Sequence, residues 1–325
     1  MRPMTHVSIV EDLQVAETLW RRHYPQRLLF DLWPVREAFQ KEFNRPPCFL
    51  VATRGGRFCG MLALSWIEEA LCFGHFPGEV WHQKTWLEQN RLIAADPDAA
   101  YALLERIPDG AVNIRYLVPE AWLPSSPVKE VDEVGYLFHP WRYDYSFPTY
   151  LQSFSGKSRK KMRRERERLQ AGGIFIRHDH FGDIDHLFDL NLTGFGEISY
   201  FWDARFLRAF ENLALWLNRN RMLRITTILV GGRVAAVDMS AVFNGTCTVL
   251  AGGTHSDFPG IAKAINFNHL EWACLERIRE VDFLCGEFNW KHRFHLTPRP
   301  LFKIGREAAS DSVQTDSLQR VACAA

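Results

Sequence analysis

FLVATRGGRFCGMLAL, residues 49–64, and ITTILVGGRVAAVDMS, residues 225–240, follow one pattern: an apolar run, Gly-Gly-Arg, and a second apolar run. Paired glycines between two β-favouring runs specify a tight hairpin, because both turn positions need a positive φ that glycine adopts without strain. A hairpin written twice in one chain suggests duplication, and the flanks support it. A helical pattern at Glu11 to Arg22 is matched at Asp183 to Asn191, and a second, Pro34 to Phe43, at Ala204 to Leu217. Each hairpin leads to a strand and then to Phe-Pro-Gly, at 76–78 and 258–260. Helices ending Leu104-Glu-Arg-Ile107 and Leu275-Glu-Arg-Ile278 come next, running into short strands at Ala111 to Leu117 and Val281 to Cys285. A fixed order of recurring elements marks a repeated unit. Each copy reads helix, helix, hairpin, strand, helix, strand. That predicts a mixed α/β (α+β) fold with a largely antiparallel sheet. The expected boundaries are a first domain over 1–145, a linking helix over 146–172, a second domain over 173–304, and a loosely attached tail over 305–325 with few large apolar residues.

The linker holds the most charged stretch, SFSGKSRKKMRRERERLQ at 153–170. Its Gly-Lys-Ser invites a phosphate-binding loop, but that loop needs a glycine five residues before Gly156, and Leu151 stands there. Pro148, just upstream, also makes a poor buried strand because it cannot donate to a ladder. Leu151, Phe154, Met162 and Leu169 form a thin apolar stripe, so the stretch reads as a surface helix docked along one edge and ended by Gly172-Gly173. Eight Lys or Arg lie between Lys157 and Arg168. This is an electrostatic footprint, but it lacks aromatics to stack bases, and Glu165 and Glu167 interrupt it.

Of the 325 residues, 47% are hydrophobic, and the net charge is +1. Such a chain can build a packed core, and the basic helix is a local asymmetry within it. Seven scattered cysteines without Cys-x-x-Cys spacing are expected to be buried and reduced, which points to the cytoplasm. No apolar run has the length of a membrane helix, and the first residues lack a signal-peptide core. His178, His180 and His186 fit no structural zinc spacing, so no metal is expected. A Gly-x-Ser-x-Gly elbow is absent, which leaves a hydrolase triad without an anchor.

Chemistry concentrates in the second copy. TCTVLAGG, 246–253, is an apolar strand ending at Gly252 and Gly253, which are also expected to contact the donor, and is followed by THSDFPGIAK, 254–263. Pro259, Gly260, Ile261, Ala262 and Lys263 open a helix. Its free backbone N–H groups and positive dipole end suit a pyrophosphate, and the small residues allow close approach. The plain alternative is a helix start that binds nothing. Next, VDFLCGEFNWKHRF, 281–294, places an acid, aromatics and a lysine just beyond a short strand, where catalytic groups often sit. Glu287 is a candidate base and Lys291 a candidate holder of an anionic substrate or donor group. The alternative is a structural turn with a surface salt bridge. Asp238, a lone acid in an apolar strand, is the second candidate base; otherwise it is a hydrogen-bonded strand residue.

Together, the tandem duplication, the RKKMRRERERL helix between the copies, FPGIAK before a long helix, and DFLCGEFNWKHRF resemble the CelD-like acetyltransferase group of the GNAT superfamily. The architecture is also similar to the FemABX peptidyl-aminoacyl transferases. The resemblance spans roughly residues 7 to 304. Its closing motif is the most specific part, here Asp282, Phe283, Gly286, Trp290 and Lys291. The pyrophosphate loop departs from the family in carrying a single glycine, Gly260. In the first copy, Phe76-Pro77-Gly78 is followed by Glu79, and an acid at a helix start would repel phosphate. The resemblance therefore implies two tandem GNAT-like domains, the first degenerate and shaping the acceptor site. It implies acyl transfer from acetyl-CoA or another acyl-CoA to an amine, such as an amino sugar or a cell-envelope or exopolysaccharide precursor. Two other readings stay open: aminoacyl transfer from tRNA, and a non-catalytic RNA-binding or regulatory role. The basic helix 157–168 could also meet an anionic membrane face.

Overall fold

The computed structural model describes residues 4–120, 129–286 and 290–307. The first copy runs β1 (Thr5–Val10), α1 (Leu13–His23), α2 (Trp33–Phe43), β2 (Pro47–Arg54), β3 (Arg57–Ile67), β4 (Cys72–His75), β5 (Leu92–Ala94), α3 (Pro97–Glu105), β6 (Ala111–Leu117) and β7 (Lys129–Phe138). Two helices, α4 (Phe147–Gln152) and α5 (Gly156–Ala171), lead to the second copy. That copy runs β8 (Ile174–His178), α6 (Asp183–Phe195), α7 (Ala204–Arg219), β9 (Leu223–Val230), β10 (Arg233–Phe243), β11 (Thr246–Thr254), α8 (Ile261–Leu275), β12 (Glu280–Asp282), α9 (Trp290–Arg293) and β13 (Thr297–Arg306). At both hairpins the glycines have φ values of 57° to 80°, the primed turn geometry that a Gly-Gly pair selects.

Among the described residues, thirteen strands form one sheet, ordered β1-β2-β3-β4-β6-β13-β7-β12-β11-β10-β9-β8, with β5 paired to the side of β3. Read from its two ends, the order is the same list for each copy. At the centre it departs from chain order. β13 lies between β6 and β7, antiparallel to both, while β7 pairs with β12. Each copy's last strand therefore completes the other copy's half of the sheet. Within each half one pair is parallel, β4 with β6 and β11 with β12, and the other pairs are antiparallel. The expected tail begins two residues too early: Gly305 and Arg306 still belong to β13, because Asn113 and Val112 of β6 supply partners. Residues 308–325 of that tail lie outside the described residues.

The copies also share a core. Phe30, Val35 and Phe39 of the first pack with Phe206, Phe210 and Leu213 of α7, over Val237 and Met239 of β10. Phe39, Phe206 and Phe210 are at most 1% exposed, and burying each contributes about 1.5–3 kcal/mol. On the opposite face of the second half, α8 buries Ile261 and Ile265 against Ile228 and Ala236, with Leu169 of α5 at the edge. That contact fixes the basic helix beside the start of α8. The six described cysteines are unbonded, and all but Cys285 are buried. Among the described residues no helix is long and apolar enough to cross a membrane.

Candidate active site

The parallel strands β11 and β12 are paired at Thr246–Thr248 with Glu280–Asp282, and β11 then continues to Thr254 paired with β10 but no longer with β12. The sheet therefore splays open beside residues 249–254. In the same segment the register against β10 slips: Val249 faces Ser240 and Ala251 faces Met239, so Leu250 is an extra residue. Such a bulge leaves the extra residue out of the ladder and bends the strand locally.

The chain crosses from the splay to α8 through residues 255–260. Gly260 is the N-cap, at φ 92°, and no side chain caps the helix. The amide of Ile261 is held by the carbonyl of Phe258, whereas Ala262 and Lys263 stand in the first turn, whose N–H groups have no acceptor within the helix. Arg168 of α5 donates to the carbonyl of Pro259 at 2.6 Å, and Lys263 pairs with Glu165 at 2.6 Å. Pro259 to Lys263, five of the expected donor-site residues, thus form the turn and first residues of α8, with Arg168 and Glu165 of α5 against them.

Gly252 and Gly253 have a packing role. A Cβ on Gly252 would lie 2.2 Å from Asp238 Oδ1, and one on Gly253 would lie 2.7 Å from both the Leu187 carbonyl and Leu190 Cβ on α6. Asn191 of α6 donates to the Gly252 carbonyl at 2.7 Å. Asp238 is almost fully buried, and its Oδ2 meets Nε2 of the wholly buried His269 of α8 at 2.9 Å. Nδ1 of His269 has no hydrogen-bond partner among the described residues. Asp238 is thus a strand residue hydrogen-bonded beneath α8, with its second oxygen over Gly252 at the floor of the splay.

Just past β12, Lys291 is 2% exposed and donates to the carbonyls of Phe283, Leu284 and Cys285 at 2.8–3.0 Å. An ammonium has three hydrogens, so Lys291 holds the strand end together rather than an anion. Burial pulls it down to about 8, against the opposing pull of Glu88 and Asp282. Glu287 lies outside the described residues.

A group that sequence reasoning missed surrounds this strand end. Glu88 of the first copy accepts the Cys285 amide at 2.7 Å, and its other oxygen lies 3.6 Å from Arg299 of β13. Arg299 also pairs with Asp282 at 2.6 Å, and Gln89 donates to that same carboxylate. Burial pushes the Glu88 carboxyl up to about 7, although Arg299 opposes it. No local motif signals this cluster, because its members come from opposite ends of the chain.

The first copy supplies most of another opening, a cleft of about 940 Å³ lined by Arg36, His75, Trp81 and Asn113 among others, and also by Arg205 and Lys303 of the second copy. Its helix start differs from that of α8. Asp96 caps α3, accepting from the Ala99 amide, and also pairs with Arg54 at 2.6 Å. The anion position there is filled by the protein's own carboxylate. Glu79 is not at a helix start, contrary to expectation: the chain after Gly78 runs irregularly to β5, and Glu79 is buried, accepting from Thr85 and from the amides of Trp86 and Leu87. Among the described residues no three His, Cys, Asp or Glu side chains gather as a metal site.

This pairing of a splayed parallel pair with an uncapped helix start falls within a recognised domain. Residues 156–292 match the acetyltransferase (GNAT) domain family. No curated protein matches the chain. Among solved structures, a conserved protein of unknown function from Bacteroides thetaiotaomicron VPI-5482 aligns with TM-score 0.58 and 12% identity, covering 92% of this chain and 99% of that one. FemX aligns with TM-score 0.55 and 10% identity, covering 91% and 96%. A tandem GNAT protein from the clavulanic acid biosynthesis pathway aligns with TM-score 0.51 and 11% identity, covering 95% and 100%. At such identities the likeness is one of fold. The chain has the tandem GNAT fold that the resemblance implies, and the duplicated elements account for its mixed, largely antiparallel sheet.

Proposed function

We propose that the protein is an N-acyltransferase that moves an acyl group from acyl-CoA to an amine, with the donor bound by the second copy. The observation that carries this reading is the contrast between the two helix starts: α8 opens at Gly260 with no side-chain cap, whereas Asp96 fills the equivalent position of α3. The backbone amides of Ala262 and Lys263 would take the donor pyrophosphate. The thioester would lie in the splay beside β11. There the amine nitrogen attacks the thioester carbonyl carbon, the C–S bond breaks, and the coenzyme A thiolate leaves and ends as the thiol. A backbone N–H along residues 250–253 would stabilise the tetrahedral oxyanion. The attacking amine must lose a proton. Glu287 is the first candidate to accept it and Asp238 the second, with His269 holding Asp238 in place. The first-copy cleft would admit the acceptor, for which an amino sugar or an envelope precursor is our reading.

Calorimetric titration of the full chain with acetyl-CoA, alongside Gly260→Glu, tests the donor class. Binding to the native chain that the variant loses is the expected result. No binding to either protein would remove the acyl-CoA reading and turn attention to charged tRNA as the aminoacyl donor.

A further inference from the structure

The basic helix keeps most of its charge unpaired although it is docked. Lys157, Lys161, Arg164 and Arg168 recur at positions i, i+4, i+7 and i+11 of α5, which places them in one row along its surface. All four are exposed. The row points at the donor corner: Arg168 donates to the Pro259 carbonyl at 2.6 Å, and its guanidinium lies 3.6 Å from where a side chain on Gly260 would begin. The acids on the helix are partly spoken for. Glu165 is paired with Lys263 at 2.6 Å and Glu167 faces Arg163 at 3.7 Å. Among the described residues Lys157, Lys161 and Arg164 have no ion-pair partner. Lys161 stands seven residues from Arg168, about 10 Å along the helix axis.

We propose that this row grips the nucleotide end of the donor, with Lys161 and Arg164 receiving the 3′-phosphate of the adenosine while the pyrophosphate sits on the start of α8. The proposal rests on the acyl-CoA reading and adds to it a selection between coenzyme A and its dephospho form. Three features favour a small phosphorylated donor over a nucleic acid. The row ends on the uncapped helix start. α5 carries no aromatic side chain on which bases could stack. Leu169 and the Glu165–Lys263 pair hold the row at a fixed distance from the α8 amides.

The experiment compares acetyl-CoA with acetyl-dephospho-CoA, which differ only in the 3′-phosphate, by calorimetry at low salt, on the native chain and on the Lys161→Glu/Arg164→Glu variant, with a short single-stranded RNA as a third ligand. Charge-assisted contacts of this kind predict binding of the dephospho form at least about tenfold weaker by the native chain. The variant should bind acetyl-CoA weakly and no longer distinguish the two. Raising the salt should narrow the native difference. Both substituted side chains are exposed, so an unchanged melting temperature serves as the folding control. Equal native affinity for the two coenzymes overturns the proposal while leaving the acyl-CoA reading intact. Absence of any coenzyme A binding overturns both. RNA binding that the variant loses, with acetyl-CoA binding unchanged, would reassign the row to nucleic acid.

Discussion

Replacing Gly252 with alanine sets a methyl group 2.2 Å from Asp238 Oδ1 and 3.2 Å from its Cγ. The backbone is not the obstacle, since Gly252 lies outside the left-handed region. The carboxylate is the obstacle, because its other oxygen is tied to His269 at 2.9 Å and both groups are buried. To make room it must rotate off the imidazole, which would leave both Nδ1 and Nε2 of His269 without a partner. Breaking a buried pair costs about 3–5 kcal/mol, and the lost glycine freedom returns about 0.4–1 kcal/mol through the unfolded chain. A net destabilisation of roughly 2–4 kcal/mol is therefore expected. Urea unfolding of the native chain, Gly252→Ala, Asp238→Ala and the double variant measures it. With Asp238 removed, the next atom the methyl meets is the Val237 carbonyl oxygen at 3.8 Å. The same substitution should then cost almost nothing, giving a coupling of at least about 2 kcal/mol. An equal penalty in both backgrounds, or a Gly252→Ala protein as stable as the native one, refutes the argument.

Glu88 gives a pH signature. Its folded carboxyl titrates near 7 against an ordinary 4.5, so between those values the folded state keeps a proton that the unfolded state has released. Stability from this group falls as pH rises through that window, by about 3 kcal/mol. Glu88→Gln should lack that slope in stability measured from pH 4.5 to 8, and parallel curves would contradict the assignment. Lys291 acts in the opposite sense. Titrating near 8 instead of 10.5, it should make the native chain more stable as pH rises across that interval, and Lys291→Met should lose the slope. At pH 7 that variant should also lose at least about 2 kcal/mol in urea unfolding, since three carbonyls lose their donor. Asp31 is fully buried, with Arg91 at 2.8 Å. Arg91→Met should destabilise by about 3–5 kcal/mol in the same assay, and a neutral effect would mean that the pair is dispensable.

The duplicated elements were legible because each is written locally. Gly55-Gly56 and Gly231-Gly232 dictate their turns, and the apolar spacing of residues 204–217 dictates α7. The placement of β7 and β13 was not legible, since nothing in either strand says which half of the sheet it joins. Pairing is settled by partners far away in sequence. Asp238 was recognisable as an acid in an apolar strand, but its partner was not: His269 looks like an ordinary position on the buried face of a helix. Lys291 was picked out by residue type, yet its role depends on three carbonyls converging at the end of β12, which composition cannot foretell. Glu88, Gln89 and Arg299 carry no motif, and only the folded sheet brings them to Asp282 and Cys285.

The exchanged central strands bear on ancestry and assembly. If one copy once stood alone as its own gene product, two such molecules trading their final strands would make a closed, self-complementary dimer, the familiar outcome of domain swapping. The present chain is then that dimer with a tether added between β7 and β8. A half expressed by itself would carry a last strand whose place lies in another copy, so it is expected to pair rather than stay a monomer. Within the present chain the halves are free to diverge in sequence but not to part.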